Sequence, residues 1–150
     1  MVKKLLLEFE DENPYYYIGI SASVMDYQVV FDLNKYLNLE FSHAEAFRFV
    51  MKGKAYNYTL YLFVDQENLI NYYLISNKDV NTRLVPKYKH FDFLIIIDGE
   101  IIEEQVKELA RNINQLPRIM FSTILEADNI EKIKGFRYEF DKHLDKVLKE

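Results

Sequence analysis

The sequence predicts an α+β domain, and two patterns carry that prediction. In the middle of the chain, short segments alternate apolar and polar residues with a period of two and are separated by turn-forming residues. Towards the flanks, apolar residues recur at helical spacing behind capping or acidic starts. Together these imply a mainly antiparallel sheet of about five to seven strands, with helices over residues 23–37, 100–114 and 129–148 packed mostly on one face. No linker, repeat or low-complexity tract interrupts the 150 residues, so residues 1–150 form one expected domain.

Each element has its own reason. Residues 3–10 and 15–20 read as strands joined by Asp11, Glu12, Asn13 and Pro14. Ser23 reads as a helix N-cap with Asp26 three residues on, and Val24, Tyr27, Val30, Phe31, Leu33 and Leu37 form the apolar face, leaving Asn34 and Lys35 towards solvent. Asn38 suits the left-handed residue that ends a helix. From Phe47 the period becomes two: Phe47, Phe49 and Met51 alternate with Arg48, Val50 and Lys52 before a turn at Lys52-Gly53-Lys54. Ser42-His43-Ala44-Glu45 also fits a capping box, so a helical turn before Phe47 is the alternative. Tyr56, Tyr58, Leu60 and Leu62 then alternate with Asn57, Thr59, Tyr61 and Phe63, and a second turn at 65–68 leads into a strand at 69–76, which makes an antiparallel meander.

Residues 91–97 form a continuous apolar run, the mark of a strand covered on both faces. Ile102, Val106, Leu109 and Ile113 follow at helical spacing, with Glu100, Glu103 and Glu104 in the first turn, Arg111 near the end and Leu116-Pro117 as the stop. Residues 118–125 read as a strand returning to the sheet. Asp128 and Glu131 open the last helical region, which places Ile133, Phe136, Phe140, Leu144 and Val147 on one face with a break at Gly135.

Composition narrows the function. The chain has no cysteine, which removes thiol nucleophiles, disulfides and thiolate metal sites. Near the start the apolar run is only Leu5–Leu7, followed at once by Glu8, whereas a signal sequence needs about 7–15 apolar residues. A soluble cytoplasmic protein is the expectation. The net charge of −5 argues against nucleic acid as the main partner. The most basic window, Lys78 to Lys89, reads as a solvated loop.

Candidate chemistry is sparse. His90 and Asp92 stand two apart, where a strand would put both on one side, and a carboxylate can fix the tautomer of an imidazole base. No nucleophile accompanies them at a recognisable spacing. His43, His90 and His143 are widely separated, no metal or cofactor motif occurs, and Asp98, Glu100, Glu103 and Glu104 fit a negatively charged helix start. The stretch 52–59, KGKAYNYT, partly matches a sheet-based RNA-binding pattern through Lys52, Gly53, Ala55 and Tyr56, but Lys54, Asn57 and Thr59 depart from it.

One family resemblance emerges, on Val85-Pro86-Lys87-Tyr88-Lys89-His90-Phe91-Asp92-Phe93. This stretch resembles the motif that names the IPExxxVDY family, uncharacterised proteins of Bacteroidetes. Similar echoes lie in Ile18-Gly19-Ile20-Ser21, Asp26-Tyr27, Asn34-Lys35 and Tyr73-Leu74-Ile75-Ser76-Asn77-Lys78. The motif's Glu is Lys87 here and its Tyr is Phe93, so chemistry requiring that carboxylate or phenol cannot operate. The resemblance implies no activity, substrate or partner. Pro86 and Asp92 are retained, and both suit a strand entrance: proline lacks the N–H of a ladder bond, and aspartate can take loose backbone donors. Phe91 and Phe93 are expected to point together into the core, leaving Asp92 to hold the preceding loop.

The leading functional expectation is a binding or protein-interaction module whose partner is another protein or a second copy of itself in a homodimer. The reason is the aromatic load of 12 Tyr and 11 Phe, with Tyr56, Tyr58, Tyr61, Phe63, Tyr72 and Tyr73 placed to form an aromatic sheet face. The alternative is a small-ligand protein or enzyme with a pocket between sheet and helices.

Overall fold

A computed structural model describes residues 14–79 and 82–149. The strand expected over residues 3–10 lies outside the described residues. Among these, six strands form one sheet in the order β2-β3-β4-β7-β1-β8, every neighbouring pair antiparallel. They are β1 (Tyr16–Ser21), β2 (Ser42–Met51), β3 (Lys54–Asp65), β4 (Ile70–Ser76), β7 (Phe93–Gly99) and β8 (Phe121–Leu125). A two-stranded ribbon, β5 (Lys78–Asp79) and β6 (Thr82–Arg83), leads into a 3₁₀ turn at Pro86–Tyr88. The helices are α1 (Asp26–Leu37), α2 (Glu103–Asn114), α3 (Ala127–Glu131) and α4 (Phe136–Val147). The α+β class and the antiparallel meander are as the sequence predicts.

The helices divide between the two faces, more evenly than the sequence suggested. On one face Ile18, Ile20, Tyr61, Tyr72, Leu74, Ile95 and Ile97 pack with Val29, Val30 and Leu33 of α1 and Val106, Ala110 and Ile113 of α2. On the other, Tyr17, Tyr58, Leu60, Tyr73, Ile75, Leu94 and Ile96 pack with Ile130 of α3 and Phe136, Phe140 and Leu144 of α4. The central strands explain this. β7 is buried from Phe93 to Ile97, and β4 alternates large apolar residues to both sides, so neither face can be left to water.

Local chemistry sets the boundaries. α1 starts at Asp26, not Ser23, because the Gln28 side chain reaches back to accept the Met25 N–H at 2.9 Å, and Asn38 ends it in the left-handed conformation (φ 58°). The β2–β3 hairpin turns through Lys52 (φ 52°) and Gly53 (φ 79°), two consecutive left-handed residues matching a type I′ turn. Residues 42–45 are strand, not a helical turn. A register shift between Ala44 and Phe47 absorbs the irregular spacing, so that Phe47 and Phe49 both face inward. Gly135 (φ 80°) breaks α3 from α4. The last strand begins at Phe121 and not at Arg118, whose guanidinium is bonded through Nε and Nη2 to the buried Asp32 carboxylate at 3.0 and 2.9 Å.

Candidate functional site

The segment between β4 and β7 is organised by Asn77, which is fully buried. Its amide nitrogen donates to the carbonyls of Tyr88 and Phe91 at 3.0 and 2.9 Å, and its side-chain oxygen accepts the Val85 N–H at 2.8 Å. Its backbone N–H donates to the Asp92 carbonyl at 2.9 Å, and its carbonyl accepts the Leu84 N–H at 2.7 Å. Five bonds at one residue, with Leu84 and Val85 tucked into the core, hold residues 84–92 against the sheet end. Pro86 opens the 3₁₀ turn, where a missing N–H costs nothing. Sequence reasoning placed Asn77 only within a resemblance. A buried asparagine has no periodic signature, so its role was not legible.

Asp92 takes two partners across this junction. Its Oδ2 accepts the Ala22 N–H at 2.9 Å and its Oδ1 meets the Lys78 ammonium at 3.3 Å. His90 contributes its carbonyl, which accepts from the Ser21 hydroxyl at 2.7 Å. The two side chains line different hollows. Asp92 borders an open cleft of about 640 Å³ between the α1 start and the sheet, alongside Met25, Asp26, Thr59, Ser76, Lys78 and Met120. His90 borders a separate pocket of about 510 Å³ with Arg83 and Lys89. The histidine and aspartate, two apart in sequence, thus border separate hollows. Phe91 and Phe93 also part company, because the chain bends at Asp92 before β7 begins. Phe91 stacks on Phe121 and lies over Gly19, where a Cβ would stand 2.7 Å from its ring, while Phe93 joins the core under α1. Asp92→Ala should leave the Ala22 N–H without its acceptor and lower stability by about 1–3 kcal/mol, whereas His90→Ala should melt like the parent. Equal melting temperatures for all three proteins would dismiss the anchoring role.

The expected aromatic sheet face is not a surface. Tyr58, Tyr61, Tyr72 and Tyr73 are buried, and Tyr56 and Phe63 are half-buried. Helices on both sides claim these rings: Tyr73 meets Phe140 edge-on at 5.7 Å, and the Tyr61 hydroxyl donates to Asp26 of α1 at 3.1 Å. Within the stretch 52–59, Tyr58 has no face on which a base can stack, while Tyr56, the ring matched to the RNA-binding pattern, is half-buried.

Exposed aromatics occur instead on α1. Tyr27, Phe31 and Tyr36 are 60%, 56% and 51% exposed, and the Lys35 ammonium lies 5.6 Å from the Phe31 ring and 5.3 Å from the Tyr36 ring. The sequence pattern assigned Tyr27 and Phe31 to the buried side. An apolar helical stripe does not say how much of its width the sheet will cover, and here Val29, Val30 and Leu33 fill the contact.

A polar cluster lies on the opposite face. Arg137 stacks on Tyr15 with its guanidinium 3.5 Å from the ring centre and pairs with Glu131 and Asp141. The hydroxyls of Tyr15 and Tyr17 donate to Asp141 and Glu131, and burial together with those carboxylates pushes both phenols far up. Nearby, burial holds the Asp98 carboxyl above the ordinary range, outweighing bonds from Asn71 and Tyr73. A carboxyl raised in the folded state contributes stability that is present at acid pH and lost as pH rises through its folded pKa. Asp98→Asn should thus raise the melting temperature at neutral pH and flatten its dependence above pH about 4. A lower melting temperature for Asp98→Asn at neutral pH would oppose this.

Among the described residues no three His, Asp or Glu side chains gather in a metal-binding group, and no helix is long and apolar enough to cross a membrane. No family model matches the chain. Nor does a search of curated proteins find a match.

Proposed function

We propose that this chain is a small cytoplasmic binding module that pairs with a second copy of itself through the outward face of α1. The observation that carries the reading is the exposure of Tyr27, Phe31 and Tyr36 on one helix while both sheet faces are covered. Large aromatics beside a cation have the composition of an interface core. The order of residues makes the face self-complementary. Tyr27 and Lys35 lie one turn either side of Phe31, so an antiparallel α1 pair centred on Phe31 sets each Lys35 against the Tyr27 ring of its partner. A 12-residue helix is about 18 Å long, which supports a small, reversible interface and not an obligate one. The lack of cysteine suits the cytoplasm. The resemblance to the IPExxxVDY family, carried by residues 85–93 and the echoes before them, adds no activity to this reading.

Sedimentation and light scattering of the parent should show a concentration-dependent dimer. Phe31→Glu should abolish it while leaving the melting temperature of the monomer unchanged, since the side chain lies outside the core. A parent that stays monomeric at submillimolar concentration sinks the proposal. The second reading, a small-ligand protein, is favoured by the cavities flanking the loop between β4 and β7.

A further inference from the structure

The pocket beside His90 has a chemical character that the α1 face does not explain. Thr82, Arg83, Pro86, Lys89 and His90 line an open hollow of about 510 Å³, a volume that suits a small molecule. Three of these five side chains are basic, in a chain whose net charge is −5. None of the three takes part in an ion pair among the described residues. The nearest acidic neighbour in the ribbon, Asp79, pairs with Thr82 across the strands and accepts the Asn57 N–H at 3.1 Å.

The pocket wall is also preorganised. Arg83 donates through Nε to the Lys89 carbonyl at 3.2 Å, which fixes the direction of its guanidinium. The backbone on either side is held by the buried Asn77 through Leu84, Val85, Tyr88 and Phe91. Arg83 and Lys89 bring like charge to one hollow, and an anion binding there offsets their repulsion without reordering the loop. Guanidinium, ammonium and imidazole offer more donors than the two oxygens of a carboxylate can use, whereas a terminal phosphate presents three acceptor oxygens in the geometry that arginine favours. We propose that this pocket binds phosphate, either as the terminal group of a small molecule or as the free ion.

Calorimetric titration of the full chain with inorganic phosphate and with adenosine monophosphate, at constant ionic strength with chloride as control, tests the proposal. Saturable binding of at least one probe is expected, accompanied by movement of the His90 ring signals in NMR spectra. Arg83→Gln and Lys89→Gln should each weaken it roughly tenfold or more. Lys89 meets the loop through backbone groups, its carbonyl accepting from Arg83 and its N–H donating to Pro86, so Lys89→Gln remains informative if Arg83→Gln disturbs folding. Tighter binding of the ester identifies a phosphorylated metabolite, and binding of inorganic phosphate alone identifies the free ion as the shared chemistry's source. The proposal is overturned if neither probe saturates, if both variants bind like the parent, or if only a single-stranded oligonucleotide binds.

Discussion

Replacing Asn77 with alanine is expected to cost about 3–5 kcal/mol, enough to remove a large part of the stability of an ordinary domain. The side chain satisfies the Val85 N–H and the carbonyls of Tyr88 and Phe91 at a position closed to water. A buried polar group left without its partner loses about 1–3 kcal/mol, and three such groups on one loop do not add independently. Asn77→Leu separates polarity from volume: it fills the space and should still lose nearly as much, because no apolar side chain can serve those groups. The urea midpoint of both variants measures the effect. A loss below about 1 kcal/mol for Asn77→Leu would mean that the loop finds other partners. The same substitution should loosen the Arg83, Lys89 and His90 wall, so it links the fold to the pocket.

Much of the architecture was legible because it rests on period. The alternation of Phe47 and Phe49 with Arg48 and Val50, and of Tyr58 and Leu60 with Asn57, is the burial pattern of β2 and β3. Asn38 and Gly135, expected to end one helix and break another, are the left-handed residues at those points. The failures share a cause: each depends on contacts distant in sequence. The run from Phe93 to Ile97 signalled two covered faces, but nothing local told which helix would take which side. Phe91 and Phe93 were read as one pleat because a bend at Asp92 has no propensity signature. Three asparagines act as clamps, and all escape pattern analysis. Asn34 brackets the backbone of Phe41, Asn114 that of Ser122, and Asn77 the loop before β7. An amide that bonds both an N–H and a carbonyl looks, in the sequence, like any solvated turn residue. The candidate site was therefore visible as a basic window and a motif, while the order that makes it a pocket was not.

Phe140→Ala tests the other half of the fold and should cost about 3–5 kcal/mol. Phe140 is fully buried, stacked on Phe136 with ring centres 5.6 Å apart and edge-on to Phe47 and Tyr73 at 5.4 and 5.7 Å. It is the point at which α4 grips the sheet. Truncation removes the ring from three aromatic partners at once, and the stiff strands beneath cannot close the space. The consequence reaches beyond stability. Tyr58, Tyr73 and Phe47 are sealed from water by α4 and its neighbours, so weakening that contact exposes the aromatic face that the sequence offers as an interface. The variant should therefore bind a hydrophobic dye and associate on mild heating, through a surface unrelated to α1. Adding Phe31→Glu should leave this new association intact. If the double variant stayed monomeric on heating, the association would belong to α1, and the sheet face would have to be closed by something other than α4.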